Sequence, residues 1–549
     1  MDRAFLLAKS WFASNAGLKT QAEAGLLAFA RRYVVHLALA SIVFMGLALR
    51  MHHIDRLSLW WDEGWSLWFA RQDIVDLAGD IFRRESNPPL YYILLKGWIA
   101  LFGDGDGALR SLSAVFGAVT PLVLYSAARR ALGGRAARWI GLLAATLFAL
   151  AFIQLRFAQE ARVYTLYALS VSLVIASAAW IIRSEHEDGR RGLQPYLLFG
   201  LSLALCLWCH YTGIVYAGLA CGLITVWWMA RRRFDLATFR RLALSAVIFL
   251  VLAAEPLYMF THYALTLTQD FWLTAPNKYK LVWEVEAALG SLFELGTVHN
   301  EALLQAAMFG VWPVLGAKAL IARRDGGSVW CAALFAVMSV GAIAAIAAIT
   351  YVMKPIMLPR VLAPAQAGWI LLTACAPMAA SLRWRPLVAG LIVISYVLGA
   401  GSHLARDHYL TGVEDWRGMY DRIDAQTEGP ARLIVHSVAT ELMSHYADIS
   451  VGHGGEGTIV VAGVQPLSVI DMHSAKVAGD TPFFDGDLTH FAQRLEAALV
   501  SDGRSWVVMR EKQVTPDVAA MLARHGMTEP TIRSEGALFA YRVPPSQRP

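Results

Sequence analysis

Two adjacent carboxylates, Asp62 and Glu63, stand inside the run Leu59-Trp60-Trp61-Asp62-Glu63-Gly64-Trp65-Ser66, a few residues after the first stretch long enough to cross a bilayer. Tryptophan concentrates at the membrane–water boundary, so the collar is expected to hold this pair at the interface. A carboxylate there is partly desolvated, which raises its basicity, and two together attract a divalent cation. The plain alternative is a juxtamembrane loop whose acids face solvent. Other charged residues weigh against it. Glu160 and Arg162 lie where two apolar segments meet, and ionisable groups at that depth are costly unless paired or hydrated. An ion pair tying a helix end is the structural explanation of those two. Lys354 and Arg360 flank the proline-broken stretch Lys354-Pro355-Ile356-Met357-Leu358-Pro359-Arg360, in which prolines deny the helix its bonds. Two cations at that height suit a lipid phosphate, which arginine can grip bidentately. Lys96, in a short apolar stretch, is a further candidate for phosphate contact.

The elements that must position these groups are membrane helices. Of 549 residues 57% are apolar and 16% charged, and the mean hydropathy is +0.46, which together describe a polytopic α-helical membrane protein. The excess of 48 basic over 42 acidic residues is small, and the arginines come in short runs. That is the marking of cytoplasmic loops under the positive-inside rule, not a surface for nucleic acid. All five cysteines fall in apolar segments, so no disulfide framework is implied. Cys206-Leu-Trp-Cys209-His210 has the spacing of a haem attachment motif, but inside a hydrophobic span covalent haem attachment is implausible.

Residues 1–32 read as a cytoplasmic N-terminal segment without a signal-peptide cleavage site. The first span covers about 33–49, and 51–107 form a long outer loop. Within it 88–102 is apolar but short for a hydrocarbon core of roughly 30 Å, which suggests an interfacial or re-entrant helix. With that stretch not crossing, spans at about 108–128, 136–156, 163–182, 194–210, 212–230, 241–260, 301–320, 329–350, 361–380 and 386–403 put the arginine runs from Arg129 to Arg385 inside. About eleven spans result, with the N-terminus in the cytoplasm. The Asp62 loop, the Glu160 turn, a loop at 261–300 and the Lys354–Arg360 segment then share the outer face. The multi-span domain ends near 404. From 405 to 549 polar sequence with β-type runs (433–438, 458–464, 505–509, 537–543) and helical stretches (415–425, 488–500, 515–525) suggests a soluble α/β domain on the outer side.

Four motifs in this order resemble those of a known family: Trp61-Asp62-Glu63; Asn87-Pro88-Pro89-Leu90-Tyr91-Tyr92 with Ala108-Leu109-Arg110-Ser111-Leu112-Ser113; Ala158-Gln159-Glu160-Ala161-Arg162-Val163-Tyr164; and Pro359-Arg360-Val361-Leu362. Asp415-Trp416-Arg417-Gly418 looks like the family's entry into the outer domain. Over about residues 33–420 the chain resembles the lipid-linked-sugar glycosyltransferases of the GT-C class, particularly the bacterial branch related to protein O-mannosyltransferases and to the lipid A aminoarabinose and galacturonosyl transferases. The resemblance implies an inner-membrane enzyme of bacteria, its C-terminal domain in the periplasm, that takes a sugar from a polyprenyl monophosphate. The acceptor would be a lipid, glycan or protein. Asp62 would be the general base, Glu63 would support it or a metal, and Glu160 would be the second acid. A divalent metal would lie on Asp62 and Glu160. Lys96, Arg162, Lys354, Arg360, Tyr91 and Tyr92 would contact substrate. The position after Arg360 is valine, where relatives often carry an aromatic residue. The rival from another class is a transporter or flippase of lipid-linked sugars, whose signature is inverted repeats with midplane charges. Here the charges gather on one face instead.

Overall fold

The computed structural model describes residues 33–75, 87–134, 136–185, 192–231, 235–266, 275–289, 299–405, 414–429, 432–446, 467–471, 476–479, 495–497, 499, 504–534 and 537–545. Six described helices are long and apolar enough to cross a membrane: Tyr33–Met51, Asp106–Leu132, Tyr164–Ser184, Gly213–Ala230, Gly326–Val352 and Pro359–Ala379. Two broken pairs bring the number to eight, Ala136–Leu150 with Phe152–Ala158 (bent 55°) and Leu236–Leu252 with Ala254–Thr261 (bent 66°). Gln194–Cys209, Gly310–Ala322 and Arg385–Gly401 are apolar but shorter. Each expected span thus coincides with an apolar helix, while length and composition alone support fewer than eleven crossings. The stretch expected to be interfacial is the short helix Leu90–Phe102.

The bends have identifiable causes. At the first, carbonyls freed by the break at Ala151 are taken by the buried side chain of Arg50. Its guanidinium donates to the carbonyls of Ala149 (3.0 Å) and Phe148 (3.4 Å). Space for it comes from Gly117, where a Cβ would meet Arg50 Nε at 2.6 Å. At the second bend the Trp208 indole donates to the Leu252 carbonyl at 2.7 Å. Satisfying such groups internally is what lets a helix break at membrane depth.

Charged residues sort to the two ends of the bundle. At one end Glu185 accepts from Arg231, Arg241 and the hydroxyl of Tyr196, at 3.3, 3.1 and 2.9 Å. Arg183 pairs with Asp325 at 2.8 Å, and Arg323 reaches the Leu132 carbonyl at 3.2 Å. Four helix connections carrying the arginine runs are therefore knotted together there. Asp62, Glu160, Arg162 and Arg360 gather elsewhere, around the start of the helix Trp61–Arg71. The expected outer loop at 261–300 contains the helix Lys278–Leu289, N-capped by Asn277.

Beyond the bundle a six-stranded sheet has the order β3-β2-β1-β4-β6-β5. Its strands are β1 (Arg432–His436), β2 (Leu467–Asp471), β3 (Lys476–Gly479), β4 (Ser505–Arg510), β5 (Ile532–Ser534) and β6 (Leu538–Arg542). β1 and β4 run parallel, in register Arg432 with Ser505, and the other pairs are antiparallel. The expected runs at 433–438, 505–509 and 537–543 fall on β1, β4 and β6. The run at 458–464 lies outside the described residues, as does most of the helical stretch at 488–500. Helices Trp416–Ala425 and Pro516–Arg524 stand where helical stretches are expected.

This outer unit docks on the Asp62 helix. Leu442, on the helix Ser437–Tyr446, packs so closely on Gly64 that a Cβ there would lie 2.7 Å away. Ser58 Oγ donates to the Glu414 carbonyl (2.8 Å), and the Glu414 carboxylate accepts from the Trp61 amide (3.1 Å). Trp61 rests near Trp416, while Trp68 is buried against Phe69. Trp61 thus also meets the C-terminal unit, while Trp60 and Trp65 remain half-buried.

Glu63 fixes the helix start. Its side chain is 0% exposed and forms a two-pronged pair with Arg110 at 2.7 and 2.6 Å. It also accepts from the Ala161 and Trp60 amides at 2.7 and 3.1 Å. Arg110 spends its remaining N–H groups on the carbonyls of Ile54, Leu57 and Ser58. Removing one partner leaves an uncompensated buried charge, a loss of about 3–5 kcal/mol. Glu63→Ala or Arg110→Ala should therefore lower the unfolding temperature of detergent-purified protein sharply, and Asp62→Asn only slightly. Equal shifts for all three would refute this division of labour.

Candidate active site

Asp62 and Glu63 are neighbours in the first turn of Trp61–Arg71, where the helix dipole favours negative charge. Helical geometry turns them in different directions. Glu63 points into protein, while Asp62 keeps 24% of its side-chain surface exposed. Its Oδ2 takes a hydrogen bond from an Arg360 terminal nitrogen at 3.0 Å, across 298 residues of chain. The Arg162 guanidinium stands 4.0 Å from the same oxygen and donates to the Asp62 carbonyl at 2.9 Å. Tyr164 lies between the two arginines, its ring centre 5.7 Å from Arg162 and 5.8 Å from Arg360. One carboxylate is thus held by two cations that share an aromatic face.

Arg360 is placed by the start of Pro359–Ala379. The Tyr216 hydroxyl donates to the Val361 carbonyl at 3.2 Å, and the Gln154 amide to the Ala363 carbonyl at 3.1 Å. The valine after Arg360 is buried here. Arg162 is placed by the tight turn between Phe152–Ala158 and Tyr164–Ser184, its carbonyl accepting from Ser113 at 2.8 Å.

Glu160, in that turn, sits 4.0 Å from Arg156. Burial pushes its carboxyl up to about 7; Arg156 and Arg360 oppose the shift, while Glu63 and Asp62 add to it. His210, at the end of Gln194–Cys209, stacks on Tyr167 with ring centres 5.4 Å apart. Burial and the nearby Arg360 and Arg162 drive its imidazole down to about 3, so it is neutral. Its Nδ1 accepts from the Thr212 amide at 3.2 Å, leaving the proton on Nε2.

The other expected contact residues take different places. Lys96 donates to the Gln72 carbonyl at 2.8 Å, closing the C-terminal end of the helix whose first turn carries Asp62. Over the eleven residues of that helix the separation is about 15 Å, so Lys96 serves the helix end. Tyr91 is buried with its hydroxyl 2.8 Å from Ser113, and Tyr92 is stacked on Phe69 at 4.7 Å. Both build the wall behind Arg162 and present no open surface. Lys354 lies on the extended link leading to Arg360, its ammonium drawn below the ordinary range by partial burial. Among the described residues no three His, Cys, Asp or Glu side chains come together in a way that could hold a metal ion. Asp62 is already neutralised by arginines, so the donor set does not fit a metal on Asp62 and Glu160.

Sequence reasoning missed four contributors. Arg110 stood within a recognised motif, yet nothing local tied it to Glu63. His210 stands out in the sequence only as the end of the haem-type spacing, with nothing local to tie it to the arginines. From the outer domain Arg510 pairs with Glu414 at 2.5 Å and lies 4.5 Å over the Trp61 ring, and Lys512 follows it on an exposed turn near Asp62.

Residues 86–259 match the family described as dolichyl-phosphate-mannose-protein mannosyltransferase. The fold is similar to that of ArnT from Cupriavidus metallidurans in the apo state, at 16% identity and a TM-score of 0.57 over 91% of this chain and 97% of that one. It is also similar to ArnT from the same organism bound to undecaprenyl phosphate, at 16% identity and a TM-score of 0.54 over the same shares. No curated protein matches the sequence. The resemblance drawn from the motifs is thus met in both family match and fold.

The half-buried Glu160 carries a pH signature. An acid whose pKa rises from 4.5 to about 7 on folding binds more protons folded than unfolded between those values. Its contribution to stability is therefore full below about 4.5 and lost as pH climbs through 7. Thermal unfolding from pH 4.5 to 8 should show a declining component that Glu160→Gln removes. An unchanged slope in the variant would leave Glu160 without this role.

Proposed function

We propose that this chain, with its mannosyltransferase-family match and ArnT-like fold, is a membrane glycosyltransferase that moves a sugar from a polyprenyl monophosphate to an acceptor hydroxyl. The observation that carries the reading is the Arg360–Asp62 pair, in which a phosphate-binding side chain and a candidate base occupy each other at 3.0 Å. A phosphate monoanion or dianion offers a guanidinium better bidentate geometry than one carboxylate oxygen does. Donor binding would draw Arg360 onto the phosphate and leave Asp62 free. Arg162, hydrogen bonded to the Asp62 carbonyl, would keep the carboxylate in place.

The chemistry then needs few parts. The acceptor oxygen forms a bond to the anomeric carbon as the bond from that carbon to the phosphate oxygen breaks. The acceptor proton passes to Asp62, and the lipid phosphate leaves with the electron pair, neutralised by Arg360. A single displacement inverts the anomeric centre. No general acid is required at the leaving group, unlike glycoside hydrolysis with its two carboxyls. Proton removal contributes about 10²–10⁴-fold, and charge neutralisation at the phosphate supplies the larger share. Glu160, its carboxyl raised to about 7, would donate a hydrogen bond to substrate in its protonated form.

The arginine-knotted end of the bundle supports, by the positive-inside rule, a cytoplasmic position for that end and with it a periplasmic position for this site and the C-terminal domain in a bacterial inner membrane. The acceptor would be a lipid, glycan or protein that reaches that face. In transfer assays with undecaprenyl phosphate mannose, Asp62→Asn should abolish turnover while donor binding persists. Arg360→Ala should weaken donor binding at least tenfold, the loss of a charge-assisted hydrogen bond of about 1.5–3 kcal/mol. Near-normal turnover in the first, or unchanged affinity in the second, would remove the corresponding role.

A further inference from the structure

On the helix Lys278–Leu289, Tyr279, Val282 and Trp283 are exposed. One stripe faces the bundle, with Leu281 and Val285 half-buried against the core and Glu284 and Ala288 fully buried, so that an acid takes a core position. That face packs against Pro359–Leu362, the segment carrying Arg360, and against Phe152–Ala158. Glu284 is 0% exposed, and among the described residues neither carboxylate oxygen has a hydrogen-bond partner. Burying such a group without partners costs several kcal/mol unless it stays protonated or something absent completes it. The helix is anchored at its start, where the Tyr351 hydroxyl donates to the Pro276 carbonyl at 2.7 Å. Burial pushes the Glu284 carboxyl up to about 7, against the opposing charges of Lys280 on the same helix and, after it, Arg360.

We infer that Glu284 is a sugar-recognition residue: a carboxylate on the helix packed against the phosphate-binding arginine's segment, which accepts hydrogen bonds from hydroxyls of the transferred glycosyl unit and selects against acidic sugars. The inference rests on the donor reading of Arg360. In a polyprenyl monophosphate donor the sugar is joined to the phosphate through its anomeric oxygen. A side chain on the helix that packs against the arginine's own segment is therefore placed to meet the ring and not the lipid. Two unpartnered oxygens match a pair of neighbouring hydroxyls, and a negative group repels a uronic acid. Sealed from solvent as it stands, Glu284 is reached only when its helix lifts, so the sugar is enclosed beneath it.

The test uses the full-length protein in detergent, with bare undecaprenyl phosphate and the same lipid phosphate carrying mannose or galacturonic acid. The wild type should bind the mannosyl lipid more tightly than the other two. Glu284→Gln should weaken mannosyl-lipid binding about tenfold, leave the bare lipid unchanged within twofold, and narrow the discrimination against galacturonic acid. Its unfolding temperature should stay level or rise, because an unpartnered buried acid is removed. A fall in unfolding temperature, parallel losses on bare and mannosyl lipid, or an unaltered mannosyl-lipid affinity would each overturn the assignment. Failure of the donor reading itself looks different: the wild type would bind no lipid phosphate, and Arg360→Ala would change nothing.

Discussion

The pairing of Glu63 with Arg110 is the constraint on which the site depends. A carboxylate with no exposed surface is tolerable only when its lone pairs are taken, and here two guanidinium nitrogens and two backbone amides take them. Those donors come from three places: the helix Asp106–Leu132, the turn before Tyr164–Ser184, and the N-cap of the helix that holds Glu63. One side chain thereby sets the distance between the Asp62 helix and the Glu160–Arg162 turn. Arg110 extends the same control to the chain at Ile54–Ser58, where the outer domain also takes hold.

Adjacent acids therefore have opposite duties. One is consumed by structure and the other is held in reserve by arginines that a phosphate can recruit. On the proposed reading Asp62 would be tied through Arg360 only until an anionic donor arrives, with Arg162 keeping its position through the backbone. Low local polarity makes each of these charge contacts stronger than it would be in water.

The outer domain is part of this arrangement and not an appendage. Glu414 caps the approach to Trp61, Leu442 fills the space over Gly64, and Asp106 accepts from the Tyr446 hydroxyl at 2.9 Å with Arg417 on the same oxygen. With Arg510 over Trp61, the domain forms one rim of the site.

Composition and arginine placement were enough to determine a bundle of apolar helices and where each lies, because burial in lipid demands long apolar runs and charge asymmetry marks their ends. Motif order was enough to single out Asp62, Glu160, Arg162 and Arg360, which the fold brings to one place. Spacing could not say that Glu63 turns inward, that Lys96 closes a helix, or that Tyr91 and Tyr92 are walls. Nor could it join Arg110 to Glu63 or set the helix of the buried Glu284 against the segment of Arg360. A one-residue step along a helix rotates a side chain by about 100°, so what each acid meets is settled by which distant segment packs against it, and only the tertiary structure decides that.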